Sequence, residues 1–445
     1  MRMNICRYLL TALICTCSSA AVLAQDSTLI GVPLKWDIQK CIEYAKKNNI
    51  QINSLRLSQK ISEQEFLLAK ASRLPDLSAS ASQNFGHSNS AGSGSGRSGF
   101  TASGNYGLSS SVTLYNGNYI NNNIAQKNLA QQVANLSVMQ QENDITLQIT
   151  QAYLTILLDK ETIVYNSDVV TTSQAQLKQY QQKFDVGAIA RKDLVQLQAQ
   201  VATDQYNLVT AKNQERQDLL TLKQLLLLPT DATFDVVKPD TIAPVNTNTP
   251  LHDAEQIALK NRPEIKSGQL AVDIAQYDVA KANAGYKPFL SAGGSVGASY
   301  VTGNGDYFSQ LNRNFNQQIG LNLSIPIFTK RQVKTQVEEA KIGVDQAKLD
   351  FTNTRITLSQ QVERAYINVQ NAQGQYEAAQ QEFKFNQESY RIANEQLKVG
   401  VANMVEFLQQ KNLYIQAQQS YIQSKYNTLL SLKIYDFYKG IPITL

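Results

Sequence analysis

The 445-residue chain carries a formal charge of +5, from 41 Lys and Arg against 36 Asp and Glu. Those cations are scattered and lack aromatic interleaving, which excludes a nucleic-acid surface. Beyond the first residues no stretch approaches the ~20 consecutive apolar residues of a membrane-spanning helix.

The start reads as a secretory signal over 1–24: Arg2 and Arg7, an apolar run from Leu9 to Cys15, then Val22-Leu23-Ala24 before Gln25. Cys6, Cys15 and Cys17 leave with it, so Cys41 stands alone and no disulfide framework is expected. Lipidation at Cys17 is disfavoured by its lead-in, Ile14-Cys15-Thr16.

A first repeat is expected over 25–228. Residues 36–71 have few breakers and helical apolar spacing, which predicts one helix. Alternation predicts a strand pair within 77–115, joined by a Ser/Gly-rich exposed loop at 87–99. From 118 to 184 there is no proline or glycine, a run that would extend about 100 Å as helix. Its apolar residues follow steps of three and four, the spacing of coiled-coil packing. Val186-Gly187-Ala188 breaks the run, and a second helix returns to 227, closing a helical hairpin. A Pro/Thr/Asp-rich linker over 229–250 follows, with TFDVV as its one strand-like patch.

Adding 213 to these numbers returns the same order over 251–438. Ala45, Lys47, Asn48 and Ile52 match Ala258, Lys260, Asn261 and Ile265, and Val186-Gly187 matches Val399-Gly400. The second copy predicts a helix, a strand pair over 289–328, a helical hairpin over 330–438 and a tail at 439–445. Its centre, IGLNLSIPIFTKR at 319–331, reads as an alternating strand running without a linker into the long helix.

Four strands of about ten residues, apolar on one face and Ser-rich on the other, do not close a barrel alone, although the length suits a tilted bilayer crossing. Several chains must contribute strands, and three would give twelve. Tyr115 and Phe328, at equivalent strand ends, suit a membrane-interface girdle. A small soluble sandwich would explain the strands but not helices that need neighbours of their own length. Catalysis has little footing: the mature chain keeps His87 and His252 without a nucleophile, metal or phosphate motif around them, and Met139 and Met404 make no soft-metal site. No enzyme activity, cofactor or metal is expected.

The repeat order, FDVGAIARKDLVQLQAQ at 184–200, LKVGVANMVEFLQQ at 397–410 and the SIPIF junction together resemble the TolC family of outer-membrane efflux proteins, from 36 to 438. The resemblance implies a mainly α fold with a transmembrane β part: a homotrimer whose 12-stranded β-barrel continues as an α-helical barrel. It implies residence in the outer membrane of a Gram-negative bacterium, contact with outer-membrane lipid, and reach into the periplasm. The function implied is a passive channel-tunnel of tripartite efflux or type I secretion, serving an inner-membrane transporter through a periplasmic adaptor. Val186, Gly187 and Ala188 with Val399, Gly400 and Val401 match the tips that meet the adaptor. Asp193 and Glu406 match gate carboxylates, but Gln409 replaces a usual aspartate, and Leu397 and Ala402 replace latch partners; Arg191 or Lys192 is the substitute cation expected beside Asp193 or Glu406. The rival reading is a non-conducting coiled-coil scaffold or tether of the envelope, which has no use for a second, serine-lined strand face.

Overall fold

The computed structural model describes residues 34–88, 99–239, 249–303 and 305–443. The expected signal, Cys17 and most of the Ser/Gly loop lie outside these. The described residues open on strand β1 (Leu34–Trp36), helix α1 (Ile38–Asn48) and helix α2 (Ile50–Ala71). The single helix expected over 36–71 is therefore broken, because Asn49 takes an extended ψ of 129° and its side chain caps the amides of Gln51 and Ile52. Strands β2 (Ser78–Ser88) and β3 (Gly99–Asn116) follow, then helices α3 (Tyr119–Asp185) and α4 (Arg191–Leu225). His87 lies in β2 opposite Phe100 rather than in a loop: once register is set, the ladder propagates through polar residues.

Strand β4 (Phe234–Val236) pairs in parallel with β1, tying the linker to the start of the fold. The second copy comprises α5 (Leu251–Asn261), α6 (Pro263–Asn283), β5 (Phe289–Val301), a short helix α7 (Tyr307–Arg313), β6 (Asn316–Ser324), α8 (Gln332–Lys398) and α9 (Met404–Tyr438). The strand expected to reach Phe328 stops at Ser324. Ser324 faces Phe289, the first residue of β5, so Ile325–Phe328 have no strand beside them, and Pro326 has no N–H to offer. Lys330 and Arg331 then take positive φ before α8 begins.

Each helix of the two hairpins starts and ends 213 residues after its counterpart. In the half nearer the sheet the helices lie in the order α2, α3, α6, α8; toward the tips the order is α4, α3, α9, α8. The main core gathers where these orders exchange. There Tyr153 is buried and donates to Val237 O at 2.6 Å, packed with Ile156, Leu157, Leu222 and Tyr426. Cys41 is fully buried in the same core, and burial pushes its thiol up to about 12, which leaves it chemically inert.

Candidate functional site

Both hairpin tips are built alike. Gly187 and Gly400 take φ of 76° and 75°. The amides of Gly187 and Ala188 bond back to Phe184 and Lys183, and those of Gly400 and Val401 to Leu397 and Gln396, which is the Schellman ending that positive φ permits. Val186, Val399 and Val401 are each about three-quarters exposed, with no cover from their own chain.

Just beyond the turns, Arg191, Lys192, Glu406 and Gln409 are exposed and Asp193 is half-buried. No ion pair among the described residues includes Arg191, Lys192, Asp193 or Glu406. The substitute latch is thus not formed within one chain: the basic pair points to solvent, and Glu406 is engaged only through its backbone amide, which Asn403 caps at 2.9 Å.

A charged tie between the hairpins lies higher, away from the residues that the sequence motifs mark. Lys411 Nζ lies 3.0 Å from Asp204 Oδ2, and both side chains are almost fully buried. Ser173 accepts from Lys411 and donates to Asp204, while Gln200 donates to Asp204 Oδ1 at 2.9 Å. Burial pulls the Lys411 ammonium below its ordinary pKa, and the Asp204 charge pulls the other way. The signal was present: Lys411 stands between Phe407 and Tyr414, and Asp204 between Val201 and Leu208, on core stripes where charge is out of place.

The sheet order is β2-β3-β5-β6, wholly antiparallel, with β2 and β6 as free edges. Facing pairs separate its sides. Ala79, Ala81, Leu108, Val296, Ile319, Leu321 and Leu323 share one side; Ser78, Ser80, Ser82, Ser109, Ser291 and Ser295 share the other. A bulge between Thr113 and Tyr115 sets Tyr115 opposite Leu290, which turns its ring to the apolar side. Phe328 is 82% exposed but lies past the end of β6.

A second aromatic level, unread in the sequence, sits nearer the other end of the same side. Tyr300 and Tyr307 rings meet at 4.6 Å, Gln83 donates to Tyr300, and Tyr106 and Tyr307 hydroxyls are 3.4 Å apart. Tyr106 and Tyr115 are nine residues apart on β3, about 30 Å along a strand and roughly 23 Å at barrel tilt, close to the ~25 Å apolar band of such barrels.

The helical arc also ends in bare apolar edges. Ile50, Leu57, Ile61 and Leu68 on α2, and Ile342, Leu349 and Ile356 on α8, are all more than half exposed at heptad-like spacing. Nearer the tips Val195, Tyr206 and Val209 on α4 and Phe385 on α8 are at least half exposed.

A family model described as outer membrane efflux protein matches residues 41–226 and 255–433. The outer membrane efflux protein BepC of Brucella suis biovar 1 (strain 1330) is 22% identical over 361 residues, covering 80% of this chain and 75% of BepC. The outer membrane protein TolC of Escherichia coli (strain K12) is 27% identical over 247 residues, 51% of this chain and 49% of TolC. A solved CusC structure superposes with a TM-score of 0.80 at 16% identity, covering 94% of this chain and 96% of that one. The Campylobacter jejuni CmeC outer membrane channel gives 0.74 at 20%, covering 91% and 85%. At such identities the structural likeness speaks for the fold.

Proposed function

The chain belongs to the outer membrane efflux protein family, and from that premise we propose that three copies form a passive exit duct driven by an inner-membrane pump. The carrying observation is the open arc: a four-stranded sheet with two unpaired edges, apolar on one side and serine-lined on the other, prolonged by helices whose end faces are greasy. Unpaired ladder groups cannot sit in hydrocarbon. Joining β6 of one copy to β2 of the next, and α8 to the neighbour's α2 and α4, covers every bare edge and closes a barrel of twelve strands over a helical tube. The serine side then faces water and the apolar side faces lipid, with Tyr115 and Phe328 at one interface and Tyr106, Tyr300 and Tyr307 at the other.

Val186, Ala188, Val399 and Val401 at the tips are the surface for the periplasmic adaptor, since exposed valines grouped in this way call for a partner. Threefold repetition sets Asp193 and Glu406 in rings at the mouth, where like charges select cations. Purified in detergent, the protein should sediment as a trimer and conduct in planar bilayers, with cation preference reduced in Glu406→Ala. A monomer, or a trimer that stays silent even after the tips are mutated, would favour the tether.

A further inference from the structure

Resting on the duct reading, we propose that the Lys411–Asp204–Ser173 layer is the fulcrum about which the two tips move. It is the one ion pair among the described residues in which both side chains are under a tenth exposed. It links α9 to the first hairpin, and it divides two apolar regions. On the tip side lies a small cluster of Tyr180, Leu197, Met404 and Phe407; on the other the main core begins at Tyr165. Lys411 is seven residues into α9, so about 10 Å of helix lies between the layer and that helix's start.

Apolar contacts are non-directional and tolerate sliding. A buried ion pair whose oxygens are all engaged has one geometry, and separating it strands a charge in the interior. Displacement of the tips is therefore absorbed by the small cluster below the layer and stops at it. The arrangement occurs once, because the positions equivalent to Ser173, Asp204 and Lys411 in the other repeat are Asn386, Ala417 and Gln198. Lys425 and Tyr426 of α9 also meet Glu161 of α3, but farther from the tips, beside the main core, so the layer is the charged pin between the hairpins nearer the mouth, and Lys411 and Asp204 act as its positioning residues.

The test uses the full-length trimer with spin labels at Ala188→Cys and Val401→Cys; Cys41 is too deeply buried to be labelled. Replacing the pair with apolar residues, D204L/K411M, should keep the trimer and its thermal midpoint. It should also broaden the tip-to-tip distance and raise open-channel occupancy at least about fivefold, the low end for coupled sites. The exchanged pair, D204K/K411D, should restore the narrow distance. Wild-type distances and occupancy in D204L/K411M would overturn the proposal. Should that variant fail to assemble, Ser173→Ala decides: a broader distance supports the fulcrum and an unchanged one refutes it. Distances do not require conduction, so a trimer that stays silent even after the tips are mutated would sink the duct reading while leaving the layer to be judged by the labels.

Discussion

The two helical hairpins share a backbone plan but fill their seams differently. Where the first places Ile163, Val170 and Leu177 against Leu194, Val201 and Leu208, the second places Tyr376, Phe383 and Tyr390 against Phe407, Tyr414 and Tyr421. Seven-residue spacing on both helices lines these rings into a ladder. Tyr390 and Tyr414 stack at 5.1 Å, Phe383 and Tyr421 at 5.3 Å, and Tyr376 and Tyr421 at 5.6 Å. Stacked rings are stiff, with two side-chain torsions each, and favour offset geometries that aliphatic chains do not impose. At the level of the main core the contrast reverses. The first long helix carries Asp159-Lys160-Glu161, where its counterpart has Ala372-Gln373-Gly374. One repeat is specified by rings, the other by charges.

The largest expected effect tests the rings. Phe407 is 1% exposed, so Phe407→Ala should cost about 3–5 kcal/mol in urea unfolding followed by circular dichroism. Phe407→Leu, which installs the first hairpin's residue, is the sharper probe. A cost below about 0.5 kcal/mol, the bottom of the range for ring pairs, would mean that Tyr390 gains nothing from an aromatic neighbour and that the contrast is only one of size. The reverse exchange, Leu194→Phe, should cost about 1–3 kcal/mol by overpacking.

The charges come next, and they carry opposite signs. Burial pushes the Glu161 carboxyl up, but the Tyr426 hydroxyl at 2.7 Å and Lys425 at 3.0 Å outweigh it and hold the group below its ordinary 4.5. Its contribution is complete above 4.5 and is lost as pH falls through the lower folded value. Glu161→Gln should therefore cost about 1.5–3 kcal/mol at neutral pH, the range for hydrogen bonds to charged groups, and little in acid. Asp159 does the opposite: burial first, then Asp218 and Glu215, raise it from 3.8 to about 7. Ionising it penalises the fold, with no penalty below 3.8 and a full one above about 7. Asp159→Asn should raise the urea midpoint above about 7 and leave it unchanged below 3.8; a uniform shift across pH would show that Asp159 does not titrate in that range.

How much of this was legible follows from the range of each interaction. The tips were readable because Gly187 and Gly400 each close a turn whose bonds span a few residues, and the 213-residue offset because it is carried by periodicity. The break at Asn49 left a weaker trace, an N-cap residue inside an otherwise helical run, and no gap in the apolar spacing marks it. The bulge at Tyr115 exists only through the register of β5, 174 or more residues later in the chain, so the alternation in β3 assigns that ring to the wrong side. Lys411 and Asp204 are separated by 207 positions. Each stands on a core stripe as an anomaly, and only their meeting explains either. The signal lay in a pair of misfits of opposite charge on two apolar stripes of a repeated frame.

The smallest effect lies at the starts of the returning helices. Asn403 caps α9 through the Glu406 amide, whereas Ala190, in nearly the same extended backbone at φ −78° and ψ 148°, offers α4 no side-chain cap. Asn403→Ala should cost about 1 kcal/mol and Ala190→Asn should gain about as much, read as amide exchange in the first helical turn. The pair also separates two roles for the acidic residues. Glu406 sits at the third helical position after its cap, as Asp193 does after Ala190, where a carboxylate favours the positive end of a helix whether or not any pore exists. Glu406→Gln keeps the capping geometry and removes only the charge. If it alters cation preference while first-turn exchange moves by less than the Asn403→Ala change, the carboxylate acts across the axis; if both readouts move together, its role is local to its own helix.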